Sequence, residues 1–310
     1  MSAGKIIYQF YYKPVGLIRQ AFKTGVWRTA EINRCRRQMK IAAARLHEVC
    51  YPCEETFTVY FLTGKKYWFQ TAFCLYSLQQ SAGTNIHAYL VDDGSFDEEL
   101  ENSVKSQFPT TTTVIRSSEI LRRLDNILPE SDFPVLRRRR LEYPHLRKLT
   151  DVHVLPGEGP KLVLDSDMLF LRQPDELLHW LRQPTGFLFM RDVVESYGYT
   201  SALMKELTGS AAIPERLNVG VAGVASSAIN WKKLEFWTDE LLKREGSSYL
   251  QEQALTAMLA ANRHHLFLPD ATYKVCPSIQ QRPIPETLHH YVAESKYDYF
   301  VKGWKLISQK

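Results

Sequence analysis

Lys161-Leu162-Val163-Leu164-Asp165-Ser166-Asp167-Met168-Leu169-Phe170 is the stretch that decides how this chain is read. An apolar run ends in two carboxylates one residue apart, then turns apolar again. Such a run reads as a buried strand of a parallel sheet. In an open α/β sheet, ligands bind at the carboxyl ends of strands. Two carboxylates this close are costly to bury unless a cation neutralises them. A hard divalent ion carrying a phosphate ester does so, because Mg²⁺ and Mn²⁺ prefer carboxylate and phosphate oxygen. The segment therefore points to a metal–diphosphate site. Beside that stands a plainer reading, an Asp-Ser-Asp turn after a strand.

Outward from this segment the chain alternates strand and helix. Residues 57–62 read as a strand, with Thr63-Gly64 as its turn. A helix is predicted over 65–80, with Trp68, Ala72, Leu75 and Leu78 on one side. A second strand over 86–91 ends in Asp92-Asp93-Gly94-Ser95, followed by a helix near 97–107 and a strand near 112–115. Helices near 118–126 and 144–155 precede the strand that ends in Asp165. Strands follow at 186–190 and 219–224, and helices at 230–244 and 250–261. This order predicts an α/β fold, a mostly parallel sheet flanked by crossover helices.

The chain has 310 residues, 45% hydrophobic and 24% charged, as a folded globular protein does. Residues 1–54 read as a basic, aromatic, partly helical extension and residues 55–310 as the catalytic domain. Within residues 1–50 the formal charge is +8, so the remainder carries −3 of the net +5. Ile32, Cys35, Met39, Ala42, Ala43 and Leu46 predict a helix over about 29–49. Such a helix either packs on the catalytic body or makes peripheral contact with an anionic membrane. It carries no nucleic-acid-binding motif, so no nucleic-acid partner is expected. The five cysteines are an odd set; Cys50 and Cys53 form one CxxC with no second pair to complete a zinc site. No secretory segment and no apolar run of about 18 residues is present. The expectation is a reduced, cytoplasmic chain, at most membrane-peripheral.

Four segments carry a family resemblance over about residues 56–304. Asp165-Ser166-Asp167 looks like a DxD motif. Leu217-Asn218-Val219-Gly220-Val221 looks like an Asn-x-Gly-Val segment. Glu252-Gln253 resembles an acidic-Gln pair opening a helix. His290-Tyr291-Val292-Ala293-Glu294-Ser295-Lys296 looks like a closing His-x-x-Gly-x-x-Lys motif. Together they resemble the GT-A glycosyltransferases, and within that fold the family-8 retaining enzymes of the glycogenin and lipopolysaccharide-galactosyltransferase type. The resemblance implies Mn²⁺ (or Mg²⁺) held by Asp165, Asp167 and His290, with Lys296 on the diphosphate. It implies Asn218 and Gly220 facing the donor sugar, Lys148 or its neighbour Arg147 contacting the donor, and Leu62-Thr63 near the nucleoside. Glu252 and Gln253 then lie near the reactive carbon, and Asp192 is placed to meet a sugar hydroxyl. Asp92 looks more like the strand-end acid of the family-2 inverting enzymes, which reads the nucleoside. The implied partners are a nucleotide-sugar donor, most simply UDP-linked, and a hydroxyl acceptor on a sugar, a lipid-linked glycan or a protein. Two departures stand out: Ala293 replaces the motif's Gly, and Tyr297-Asp298 replaces its Pro-Trp.

The implied chemistry is physically coherent. Cleaving a sugar–phosphate bond develops negative charge on the β-phosphate oxygen, which a divalent cation stabilises. Gln253 is a poor nucleophile, whereas Glu252 can act as nucleophile or as base for the acceptor. Retention is the expected outcome; an inverting enzyme and a non-catalytic nucleotide-sugar-binding module are the alternatives. A nucleotidyltransferase needs a Gly-rich phosphate loop, and Thr63-Gly64-Lys65-Lys66 is a poor one. The run Arg137-Arg138-Arg139-Arg140 cannot share one helix face, so it reads as solvated surface or as a binder of anionic groups.

Overall fold

The computed structural model describes residues 25–279 and 283–308; the basic and aromatic residues 1–24 lie outside them. In chain order the first half comprises α1 (Val26–Ala43), β1 (Thr56–Thr63), α2 (Trp68–Ala82), β2 (Asn85–Asp92), α3 (Glu98–Gln107), β3 (Thr112–Ile115), α4 (Ser117–Ile127), α5 (Pro134–Glu142), α6 (Arg147–His153) and β4 (Pro160–Leu164). The second half comprises β5 (Met168–Phe170), α7 (Asp175–Arg182), β6 (Phe187–Arg191), α8 (Ser201–Thr208), β7 (Leu217–Ala225), α9 (Trp231–Glu245), α10 (Gln251–Ala260), β8 (His265–Phe267), β9 (Tyr273–Val275) and β10 (Leu288–His290). The chain then runs through α11 (Lys296–Asp298), a π turn (Tyr299–Gly303) and α12 (Trp304–Ser308).

Seven strands form the main sheet in the order β3-β2-β1-β4-β7-β6-β8. Only β7 runs against the others. The predicted mostly parallel α/β architecture is the one observed. A second, three-stranded sheet has the order β5-β10-β9. The acidic segment is therefore more than a strand end. Leu164 closes β4 in the large sheet and Met168 opens β5 in the small one, so Asp165-Ser166-Asp167 is the crossing between two sheets.

Several element boundaries differ from expectation for local reasons. The helix expected from Lys65 starts at Trp68, after a tight turn at Gly64. The helix expected over 144–155 is shorter: Pro144 opens a single 3₁₀ turn before α6 starts at Arg147. Proline lacks the N–H that would continue a preceding helix, so α5 ends before it. The expected amino-terminal helix starts earlier and ends at Ala43. Its spaced apolar residues Cys35, Met39, Ala43 and Leu46 are buried in the same core as β1 and β2. On that side Tyr297 Oη donates to Glu31 at 2.7 Å, and the guanidinium groups of Arg28 and Arg36 lie over the Tyr297 and Phe300 rings.

The arginine run is neither free surface nor a free anion binder. Arg140 pairs through two nitrogens with buried Asp151, at 2.5 and 2.6 Å. Arg139 donates to Gln251 at 2.5 Å and to Ser247 at 2.9 Å, fixing the start of α10. Arg137 donates to Leu128 O and Asp125, which leaves Arg138 as the exposed member. Behind β4, Lys161 is buried and donates to Leu155 O and Ser226, whose hydroxyl also meets His153 Nδ1 at 3.0 Å. Burial pushes the His153 pKa down to about 3 and that of Lys161 to about 8. All five cysteines are free thiols. No described helix is long and apolar enough to cross a membrane.

Candidate metal and donor site

α2 holds the acidic crossing from below. Thr71 Oγ1 hydrogen-bonds Ser166 Oγ at 2.8 Å, Cys74 Sγ lies 3.6 Å from Asp165 O, and Ser77 Oγ accepts from Phe170 N at 3.1 Å. Positions 71, 74 and 77 recur every three residues, so they share one face of the helix. Thr71 also meets Thr63 Oγ1 at 2.7 Å, tying the end of β1 into the same set. From the sheets, Asp165 N donates to Gly220 O at 2.8 Å and Tyr291 N to Asp167 O at 2.9 Å. The crossing is thus fixed from α2, from β7 and from the residue after β10, and the side chains are left to face a common point.

His290, the last residue of β10, completes that point. Its Nε2 lies 3.6 Å from Asp165 Oδ2 and 3.3 Å from Asp167 Oδ1, and one donor atom from each residue falls within 4.8 Å of the other two. Nδ1 meets Asn218 Oδ1 at 3.1 Å. The same oxygen accepts from Gly220 N at 2.9 Å, while Asn218 Nδ2 donates to Asp192 Oδ2 at 2.9 Å. Asn218 therefore presents its carbonyl to His290, and Nδ1 is the donor. In the neutral ring this makes Nε2 a lone pair aimed at two carboxylates. Nε2 is buried and makes no hydrogen bond. Three acceptors facing one another without a proton between them fit a bound cation, and the Asp192–Asn218 pair is the outer support such ligands need. A nitrogen among oxygen donors suits Mn²⁺ better than Mg²⁺.

Two lysines flank the carboxylates. Lys148 Nζ lies 3.0 Å from Asp165 Oδ1 and 3.2 Å from Glu252 Oε2, and Lys296 Nζ pairs with Asp167 Oδ2. Burial alone would lower the Lys148 pKa, but its two carboxylates outweigh that and hold it well above its usual value. Lys148 is thus firmly charged. Glu252 is pushed up to about 7 by burial, against Lys148 and helped by Asp165. Burial likewise opposes ionisation of Asp167, yet the Lys296 ammonium holds its pKa well below the carboxylate range. Lys148 and not Arg147 reaches the site: Arg147 donates to Asp93 O and Arg140 O.

The remaining expected residues divide. Asn218 and Gly220 stand at the centre, but Asn218 serves His290. Gly220 lies flat beside the imidazole. Gln253 is nearly buried, and its Nε2 donates to Ser196 O at 3.0 Å; Ser196 lines an adjoining cavity of about 420 Å³. Both Asp192 oxygens have partners, Asn218 and Val193 N. Leu62 and Thr63 sit at the end of β1, with the Thr63 hydroxyl turned to Thr71. Asp92, expected near the nucleoside, lies at the end of β2. Its carboxylate accepts backbone N–H groups from Gly94, Phe96 and Ser117, so it shapes the turn after β2. Sequence reasoning missed the Thr71–Cys74–Ser77 face and Tyr249, an exposed ring edge-on to His145 at 5.1 Å. Ala293, which stands out in sequence as the residue replacing the family motif's glycine, has a backbone φ of +46°.

No protein-family model matches the sequence, and no curated protein does. Solved structures do match. The galactosyltransferase LgtC, crystallised with donor and acceptor sugar analogs, superposes with a TM-score of 0.53 at 13% identity, covering 81% of this chain and 94% of that one. Mouse xyloside xylosyltransferase 1 gives 0.51 at 13% identity, over 76% and 97%. The fold is the GT-A fold. At these identities the likeness speaks for the fold, and the chemistry rests on the residues of this chain.

Proposed function

We propose that this chain is a metal-dependent glycosyltransferase that moves a hexose from a nucleotide-diphosphate sugar, with UDP as the nucleotide, to a hydroxyl acceptor, with retention. One observation carries the proposal: the buried, unpartnered Nε2 of His290 converging with Asp165 and Asp167 at the crossing of the two sheets. These three residues would hold Mn²⁺, which supplies positive charge against the diphosphate leaving group. The chain's own part is preorganisation. Asn218 and Asp192 orient His290, α2 fixes the acidic backbone, and Lys148 sets a positive charge 3.0 Å from Asp165. Lys296, on the outer side of Asp167 and 43% exposed along its side chain, is the ammonium available to a phosphate.

Retention is supported by the state of the carboxylates. An inverting base must meet the incoming hydroxyl, yet Asp192 has both oxygens engaged and Glu252 is buried against Lys148. The inverting reading draws on the Glu252 pKa of about 7, suited to a base near neutrality. The anomeric configuration of the product, followed by NMR, separates the two. Asp167→Ala tests the proposal itself. It should abolish Mn²⁺-dependent hydrolysis and transfer of UDP-sugars while the fold persists; unchanged turnover in that variant would refute it. UDP binding without any turnover in the unmodified protein would instead favour a nucleotide-sugar-binding module.

A further inference from the structure

α1 has two opposite faces, and only one of them is used by the rest of the described protein. At 100° per residue, Ile32, Cys35, Met39, Ala42 and Ala43 project to one side, where they pack on the core. Arg28 and Arg36 flank that side, stacked over Tyr297 and Phe300. Trp27, Arg34, Arg37 and Ile41 project to the other side. Trp27 is 90% exposed and Ile41 61% exposed, and Arg34 and Arg37 are exposed between them. Among the described residues neither arginine pairs with a carboxylate, and Glu31, the one acid of α1, is taken by Tyr297. An indole and a branched aliphatic chain about four turns apart, with guanidinium groups between, is the pattern of a helix lying in a lipid interface. The charge fits the same occupant: residues 1–50 carry +8 while the remainder is −3, so positive charge is gathered at this end of the chain.

We infer that the outward face of α1 docks on an anionic lipid bilayer, with Trp27 and Ile41 entering the interface and Arg34 and Arg37 meeting lipid phosphates. The inference does not depend on glycosyl transfer. It bears on the site, however, because α1 packs against Tyr297, the residue next to Lys296.

The test is co-sedimentation of the full chain with vesicles of phosphatidylcholine alone and of equal parts phosphatidylcholine and phosphatidylglycerol. Binding is expected only to the anionic vesicles and should weaken as salt is raised. Each arginine near a charged surface changes partitioning by about fivefold, so Arg34→Glu/Arg37→Glu should lose roughly 25-fold or more. Trp27→Ala/Ile41→Ala should weaken binding at every salt concentration. All four side chains are exposed, so both variants should melt like the parent. Equal binding to the two vesicle types, or no binding to either, would overturn the inference. Anionic binding undiminished in both variants would overturn it too, by moving the contact off α1 and onto residues 1–24.

Discussion

A methyl group on Gly220 would stand 2.3 Å from Cε1 and 2.4 Å from Nδ1 of His290. Real Cβ atoms do not approach so closely, so the ring would have to move. Glycine here is a steric requirement of the histidine. Gly220→Ala should fold but displace Nε2 from the carboxylates, lowering Mn²⁺ affinity by about 10–100-fold, the cost of disturbing a ligand's outer support. Calorimetric titration with Mn²⁺ measures it, and unaltered affinity would show that the ring position does not matter.

Lys148 is shared by Asp165 and Glu252 in a buried setting. Removing it leaves buried negative charge uncompensated, which costs about 3–5 kcal/mol. Urea unfolding of Lys148→Ala should show that loss as a lower midpoint at constant slope. Adding Glu252→Gln to the Lys148→Ala background should recover part of it, because the buried carboxyl left without its ammonium is then gone. A single-variant loss below about 1 kcal/mol would mean that water already screens these charges.

Ala293 sits at φ +46°, where an L-residue is disfavoured by about 1–2 kcal/mol. Ala293→Gly relieves that cost, minus the extra freedom glycine has when unfolded. A net gain of roughly 0.5–1 kcal/mol is expected, seen as a rise of about 1 °C in melting temperature. A fall would show that its Cβ makes contacts worth more than the strain.

His153 gives a pH dependence of defined sign. Its pKa is about 3 when folded against an ordinary 6.5. Between those values the unfolded chain takes a proton that the folded chain refuses, so stability falls as pH drops through that window. The slope is about 1.4 kcal/mol per pH unit, or roughly 2 °C in melting temperature for a chain of this size. His153→Gln should flatten the melting curve between pH 6 and pH 4 by about that amount. Parallel curves for the two proteins would remove His153 as the cause.

Residue types and strand order carried much of the fold and the centre of the site in readable form. Asp165, Asp167, Asn218, Gly220, His290 and Lys296 could be picked out because each sits in a short motif. The arginine run could not, because adjacency gives the number of charges but not their directions. Helix geometry sends Arg139 to Gln251 and Arg140 to Asp151. The polar face of α2 was hidden for another reason. That helix is buried nearly all round, so its pattern does not mark Thr71, Cys74 and Ser77 as the side under the acidic crossing. Strands β5, β8, β9 and β10 have three residues each, too few to show a period of two. The turn-shaping bonds of Asp92 were hidden because a strand-end acid that caps a turn looks the same in sequence as one that meets a ligand.

His290 lies on β10, which is inserted between β5 and β9 and is the last strand of the fold to be made. During synthesis the two strand-end carboxylates emerge long before His290, the third member of the cluster. Until β10 is made, the crossing holds a repelling pair with only Lys148 opposite it, because Lys296 follows β10 in the chain. In the proposed site, ion capture would thereby be tied to completion of the small sheet. A chain stopped short of position 290 lacks the nitrogen donor, so a cation held by all three residues would mark β10 as seated between β5 and β9.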